Sequence, residues 1–439
     1  MITDKYKKLA KEILNFAMKS GCSAVRIAVY SGTDNSFEYR DNQLDKLEQS
    51  AENGMSFQLF VDGRYSSFST NRLEKEELQN FVLRNIESTR FLAEDKYRRL
   101  ADSNRLYKGK GYDLELFDKA IFDVSIDEKL SLLKNSVNEV YQKDERLISV
   151  SATYSDGISE SYIIDSNGFE GEVATTYYNL SAETSLQDKG DARPSSYWYD
   201  ASIFWNRLQK EGITRKAYER TLQKLGQEKI ESGKYKMLVD NMNISRLLSP
   251  IISALYGNSI QQKQSFLIDK LDEKIVSDKI TLIDNPHLKQ ARGACWFDGE
   301  GVATEKRNVI EKGILKTYYL DTYHAGKLAM NPTIQSPSVL IMNTENKNFE
   351  SLINQIDKGI WITGFNGGNS NPTTGDFSLG VEGFLIENGR LIRPINEMNI
   401  TGNLLSLWQN IVEIGNDPRL NSSWRIPSVL FDNVNFTGK

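Results

Sequence analysis

Apolar residues first recur at helical spacing. Between Asp4 and Ser20, Tyr6, Leu9, Ala10, Ile13, Leu14 and Ala17 fall three or four residues apart, and Gly21 follows as a stop. The pattern then changes. Ala24–Tyr30 (AVRIAVY) is a short β-branched run, and Met55, Phe57, Leu59 and Val61 alternate at period two. Asp62-Gly63 supplies a two-residue hairpin turn. From Glu74, Leu78, Phe81, Val82 and Ile86 return to helical period. A second round begins at Ser125, a helix N-cap with Asp127 and Glu128 in the positive first turn. Ile126, Leu130, Leu133, Val137 and Tyr141 form that helix's buried stripe. A meander follows from Leu147 to about Tyr199, with turns predicted at Asp156-Gly157 and Asn167-Gly168. A helix over Thr214–Glu231 then buries Ala217, Tyr218, Leu222 and Leu225. Helix–meander–helix thus occurs twice, without residue identity between the copies.

Ser232-Gly233 marks a boundary. Tyr235–Val239 starts a strand, and Asn243 is placed to cap a helix carrying Ile244, Leu247, Leu248, Ile251, Ile252 and Leu255. Pro250 predicts a kink or early stop in it. The remainder reads as β-rich, with tight turns at Glu311-Lys312-Gly313 and Asn388-Gly389. One closing helix carries Leu404, Leu405, Leu407, Trp408, Ile411 and Val412. The predicted class is α+β: N-terminal units over 1–110 and 111–231, and a β-rich C-terminal domain over 232–439.

Charge narrows the function. Lysine and arginine total 54 against 59 acidic residues, a net charge of −5, so no basic excess favours nucleic acid. The charges along helices, as at Glu74–Glu77 and Arg215–Arg220, read as solvated faces. The longest apolar stretch, Leu247–Tyr256, is about half a membrane span. The N-terminus has no signal-peptide core, so a cytoplasmic protein is expected.

Only two cysteines, Cys22 and Cys295, and two histidines, His287 and His324, are present. They fit no local zinc spacing. Asp298 and Glu300, in FDGEG, have the spacing of a carboxylate pair on one strand face, but Asp-Gly and Glu-Gly equally make a turn. The segment Gly364–Gly380 (GFNGGNSNPTTGDFSLG) reads as a long loop, lacking the G-K-[ST] ending of a phosphate-binding loop. It is either plain surface or the lining of a groove, since its glycines and asparagines present accessible backbone amides.

Three stretches carry a family resemblance: Pro286–Leu328, Thr374–Asp417 and Ser428–Gly438 (SVLFDNVNFTG). Weaker matches lie at Ser265-Phe266-Leu267, Ser166-Asn167-Gly168 and Asp62-Gly63-Arg64. Together they resemble the TldD/PmbA family, and within it the PmbA branch, also called TldE. The resemblance implies a cytoplasmic metalloprotease of two related subunits acting on unfolded or extended peptides. The TldD-type subunit carries an HExxxH zinc helix and a later cysteine ligand; the family also bears the label modulator of DNA gyrase. If Leu247-Leu248 matches the leucine pair before that motif, Ser249 stands for the first histidine, Pro250 for the glutamate and Ala254 for the second histidine. The chain is then expected to be a non-catalytic subunit, without cofactor or catalytic residue of its own, completed by a TldD-type partner that holds the zinc. It is expected to bind no nucleic acid or membrane. Gly364, Asn366, Gly367, Gly368, Asn369, Thr374 and Asp376 are its candidates for a peptide groove or interface. Two alternatives stay open: a self-sufficient non-metal hydrolase using Asp298 and Glu300, and a non-enzymatic peptide-binding homodimer.

Overall fold

The computed structural model describes residues 2–439. The first half runs α1 (Asp4–Lys19), β1 (Ala24–Arg40), β2 (Gln43–Val61), β3 (Arg64–Thr70) and α2 (Lys75–Thr89). It repeats as α3 (Ile126–Asn138), β4 (Leu147–Asp165), β5 (Glu170–Leu186), β6 (Ser195–Ser202) and α4 (Ile213–Gln223). The two meanders join edge to edge in one antiparallel sheet of order β3-β2-β1-β4-β5-β6, in register from Arg26 opposite Asp165 to Arg40 opposite Ser151. α1 and α2 bury Leu9, Ile13, Leu78 and Val82 against one half; α3 and α4 bury Leu133, Val137, Ile213 and Ala217 against the other.

Local signals explain several ends. Asp62 and Gly63 both have positive φ, 51° and 73°, as a two-residue turn between right-twisted strands requires. The Ser125 hydroxyl accepts from Glu128 N at 3.2 Å while Glu128 Oε2 accepts from Ser125 N at 3.0 Å, a full capping box.

Asp156-Gly157, predicted as a turn, lies inside β4 instead. Asp156 is fully buried and accepts from Lys129 Nζ at 2.5 Å, Tyr154 Oη at 2.6 Å and Asn35 Nδ2 at 2.8 Å. A Cβ on Gly157 would lie 2.3 Å from the Thr33 carbonyl oxygen, so the glycine serves close strand approach. α4 also stops earlier than its apolar pattern suggested, at Gln223, and Gly226 follows with a φ of 74°.

The second half comprises β7 (Gly233–Val239), α5 (Ser245–Ala254), α6 (Gly257–Gln261), β8 (Leu282–Asp284), β9 (Arg307–Glu311), β10 (Ile314–Leu315), α7 (Thr322–Leu328), β11 (Leu340–Met342) and α8 (Phe349–Asn354). It continues with β12 (Lys358–Ser370), β13 (Asp376–Glu387), β14 (Arg390–Asn403), α9 (Leu404–Gln409), β15 (Ile411–Ile414), β16 (Trp424–Arg425) and β17 (Val429–Thr437). One sheet has the order β14-β13-β12-β7-β17-β15, and β14 also pairs with β17, so five strands close on themselves. Trp408, fully buried, donates from Nε1 to the Leu247 carbonyl at 3.2 Å and ties α9 to α5.

α5 begins at Ser245, and Asn243 does not cap it: its backbone and side-chain nitrogens both donate to Asp240 Oδ1. Nor does Pro250 end the helix. Proline within a helix costs about 3 kcal/mol. Burial of Leu247, Leu248, Ile251 and Ile252, at about 1.5–3 kcal/mol each, outweighs that, and the helix continues to Ala254. The closing helix is shorter than expected, because Ile411 and Val412 already belong to β15. Among the described residues no helix is long and apolar enough to cross a membrane.

A small sheet, β10-β9-β8-β11-β16, covers the rest. At its centre Asp284 is 2% exposed and its Oδ1 accepts from Ser338 N at 3.0 Å and Val339 N at 3.2 Å. Burial pushes its carboxyl up to about 6 despite those donors and the Arg307 charge. A pKa raised on folding means the native state holds the proton longer, so stability is lost as pH rises from about 4 to 6. Denaturant melts of wild type and Asp284→Asn across this window are expected to diverge by about 2–3 kcal/mol, wild type falling relative to the variant. Parallel pH profiles would contradict this account.

Candidate functional site

A cavity of about 900 Å³ opens between the two halves. From the first sheet it takes Arg220 of α4, Lys224 and Gln227 just beyond, and Ser195 and Tyr197 of β6. From the second half come Ser245, Arg246 and Ser249 of α5, Thr363–Asn366 of β12, Glu382 of β13 and Asn396 of β14.

Its walls are tied by charge and amide contacts. Lys224 Nζ lies 2.5 Å from Glu382 Oε1 and donates to the Ser195 carbonyl at 2.7 Å. Arg220 Nη2 donates to the Thr363 carbonyl at 3.3 Å, and Arg246 Nη2 to the Gly368 carbonyl at 2.8 Å. Beneath Arg220, Asp240 is buried, which pushes its carboxyl above the usual range; the Arg220 charge and donors from Asn243 and Trp361 oppose this. One side of the cavity is the sheet edge formed by β6. The outward carbonyls of Ser195 and Tyr199 receive Lys224 and Arg419, and between them Tyr197 is exposed, stacked on Tyr199 at 6.4 Å between centroids.

Of the residues singled out in the sequence, Ser249, Gly364 and Asn366 meet here. The segment Gly364–Gly380 is not a loop but the end of the β12–β13 hairpin. Its glycines serve a bulge: the register shifts between Phe365 and Gly368, and Gly368 has a φ of 83° where a Cβ would meet the Ser378 carbonyl at 2.1 Å. Gly367, at 108°, faces open space. Asn369 and Asp376 line a separate shallow hollow at the tip. Thr374 Oγ1 donates to Asp376 Oδ2 at 2.7 Å and Asn403 Nδ2 to Asp376 Oδ1 at 3.0 Å, so these two residues brace the turn. Pro250 and Ala254 share α5 with Ser249 but do not line the cavity. The residues that sequence reading missed are Arg220 and Lys224, taken for a solvated helix face or passed over; Lys224 is in fact 8% exposed.

The remaining chemical candidates are accounted for locally. Asp298 Oδ1 accepts from Glu300 N at 2.8 Å and Val302 N at 3.0 Å, and its Oδ2 from Gln335 N at 3.2 Å. Glu300 Oε2 accepts from both the N–H and the hydroxyl of Thr322 at 2.9 Å. Burial pushes both carboxyls up, and the pair organises a turn. His287 Nε2 lies 3.0 Å from Thr304 Oγ1 with its ring 4.0 Å from Trp296, while His324 Nδ1 meets Asp321 at 2.8 Å. Cys295 Sγ lies 3.4 Å from Ser338 Oγ. Among the described residues no group of three or more His, Cys, Asp or Glu is placed to hold a metal. On α5, positions 249, 250 and 254 offer a hydroxyl, a pyrrolidine ring and a methyl group. That set does not fit zinc, which binds imidazole, thiolate and carboxylate.

Two helix–meander–helix units beside a closed β domain define a known class. Three domain models of PmbA/TldA metallopeptidases match in order: domain 1 over residues 25–89, the central domain over 119–225 and the C-terminal domain over 232–438. The chain belongs to this PmbA/TldD family, and within it to the PmbA branch. It is 27% identical over 440 residues to the metalloprotease PmbA of Escherichia coli O157:H7, covering 99% of this chain and 97% of that protein. A crystal structure from Bacteroides thetaiotaomicron VPI-5482, provisionally named a modulator of DNA gyrase, is 54% identical with a TM-score of 0.98 over 100% of both chains. TldE from Thermococcus kodakarensis shares the fold, with a TM-score of 0.86 at 20% identity over 98% of this chain and 100% of that one.

Proposed function

We propose that the chain is the PmbA/TldE-type subunit of a cytoplasmic peptidase whose zinc and catalytic glutamate belong to a TldD-type partner. Its own cavity then holds part of an unfolded or extended peptide. The observation that carries this reading is α5: Ser249 lines a roomy polar cavity, yet positions 249, 250 and 254 supply no metal donor. On the β6 edge the carbonyls of Ser195 and Tyr199 already accept from Lys224 and Arg419, so an extended peptide would pair there with the main chain around Tyr197 alone. Pairing of that kind draws affinity from main-chain hydrogen bonds, with little demand on sequence. Related subunits of one fold pair readily through a pseudo-two-fold interface inherited from a self-complementary one.

The test is native mass and elemental analysis of the chain alone and mixed with a TldD-type subunit from the same organism. The expected outcome is a mixed assembly whose zinc tracks the partner, with far less than one zinc per chain in this protein by itself. A tightly held stoichiometric zinc in this chain, or failure to associate, would overturn the proposal.

A further inference from the structure

Sheet edges in this protein are handled unequally. The β6 carbonyls of Ser195 and Tyr199 accept from Lys224 and Arg419, and β14 is met by β17 and by the Glu228 main chain. On the other side of the first sheet, β3 pairs with β2 only over Met55–Val61. Residues 46–53 of β2 are left with β1 alone, and among the described residues no hydrogen bond from elsewhere reaches their main chain. Their register with β1 is unbroken from Phe60 to Lys46, and Asp45 is the extra residue of a bulge that ends it. The two-residue Asp62-Gly63 turn makes Val61 and Arg64 a hydrogen-bonded pair, while the Phe60 carbonyl accepts from Ser23 N on the β1 side at 2.8 Å. By the alternation of an antiparallel ladder, Leu47, Gln49, Ala51 and Asn53 turn their N–H and C=O groups outward. Leu47 is 47% exposed although it sits opposite buried Phe37. Lys46 Nζ lies 2.8 Å from Glu48 Oε1 of its own strand, and Glu52 has no ion-pair partner among the described residues.

We infer that residues 46–52 of β2 pair antiparallel with the same residues of a second copy of this chain, about a two-fold axis at Gln49. Charge selects the axis, because residues equally far from it on the two strands face each other. At Gln49, Lys46 faces Glu52 twice, Leu47 faces Ala51 twice and Glu48 faces Ser50 twice. An axis at Glu48 sets that residue against itself, and one at Ser50 sets Glu48 against Glu52. Like charges directly opposite each other are destabilising. An axis at Leu47 runs the ladder into the Asp45 bulge. Gln49 is also an outward residue, so the axis falls on a hydrogen-bonded pair. Beyond Lys46 the bulge bends each hairpin tip out of line with the end of β3 at Thr70. β2 and β6 lie on opposite sides of the sheet, so the dimer leaves the cavity open and the inference stands apart from the peptide reading.

The test is sedimentation velocity of the full chain from about 1 to 200 µM, a range suited to the weak association expected of a small interface. A concentration-dependent dimer with a dissociation constant of about 10 µM is expected. Lys46→Glu and Glu52→Lys each set like charges opposite one another at two places, so each variant alone should dimerise about tenfold more weakly. An equimolar mixture of the two variants should recover the wild-type association, because each strand then faces opposite charge in its mate. Gln49→Pro removes an outward N–H that an edge strand does not need. It should abolish the dimer and leave the thermal midpoint of the monomer unchanged. A monomer at every concentration overturns the inference, as does a dimer indifferent to charge reversal. Association seen only with a TldD-type subunit also overturns it, by assigning the edge to that partner. None of these outcomes bears on which subunit holds zinc, so the proposed function stands or falls separately.

Discussion

Hydrolysis of an unfolded peptide is expected to stay at background with this chain alone and to rise at least about 10³-fold when a TldD-type subunit is added, a modest demand beside the 10⁶-fold or more typical of enzymes. Water becomes a good nucleophile near neutral pH when a metal lowers its pKa or a side-chain base removes its proton. In this chain the carboxylates closest to that role are held in a turn: both oxygens of Asp298 accept from backbone N–H groups, and Glu300 Oε2 accepts from the N–H and the hydroxyl of Thr322. Both histidines are engaged with Thr304 and Asp321. Ser249 lines the cavity on a helix that brings no general base. A stopped assay of the chain, the partner and the mixture decides the matter. Robust chelator-insensitive cleavage by this chain would establish a self-sufficient hydrolase. Full activity of the partner alone would leave this chain without a role in catalysis.

Replacing Lys129 with methionine is expected to destabilise the N-terminal sheet by about 3–5 kcal/mol. The Lys129 side chain is 7% exposed and the Asp156 side chain fully buried, so neither charge leans on solvent. Asn35 and Tyr154 satisfy part of the carboxylate but bring no positive charge, and removing the lysine leaves an uncompensated anion under β1 and β4. The ammonium also lies 5.8 Å from the Phe37 ring centroid and 5.7 Å from that of Tyr154, and methionine keeps an unbranched apolar chain at the site while removing the charge. Urea melts followed by tryptophan fluorescence provide the measurement. The double variant Lys129→Met/Asp156→Asn should recover most of the loss, because it removes the stranded charge. An equal loss in both variants would make packing, not charge, the cause.

Where structure follows from neighbours in the chain, the sequence is readable. The apolar stripe of α1, the Asp62-Gly63 turn and the Ser125–Glu128 capping box each depend on a few adjacent residues. Features set by distant partners are opaque. Residues 43–53 of β2 are exposed throughout, so no alternation betrays a strand, yet they pair with β1. Asp156-Gly157 has the composition of a turn, and only Lys129 and the Thr33 carbonyl explain why it lies mid-strand. Gly364–Gly380 likewise has loop composition, because a bulged hairpin needs glycine where strands come close. The cavity is the extreme case. Arg220 and Ser249 reach it from different halves of the fold, and no local motif couples a helical arginine to a serine on another helix.

The single sheet that joins the two meanders has a consequence for synthesis. Residues 26–40 of β1 find their β4 partners only at residues 151–165. At roughly 5–20 residues per second on the ribosome, β1 is made several seconds or more before its mate. During that interval its hydrogen-bonding edge can capture another nascent chain as readily as its own. Closing so long a loop adds an entropic delay after the partner emerges. Overproduction should therefore aggregate through this one strand, and slower translation or a holding chaperone should raise the soluble yield without altering the stability of the finished protein.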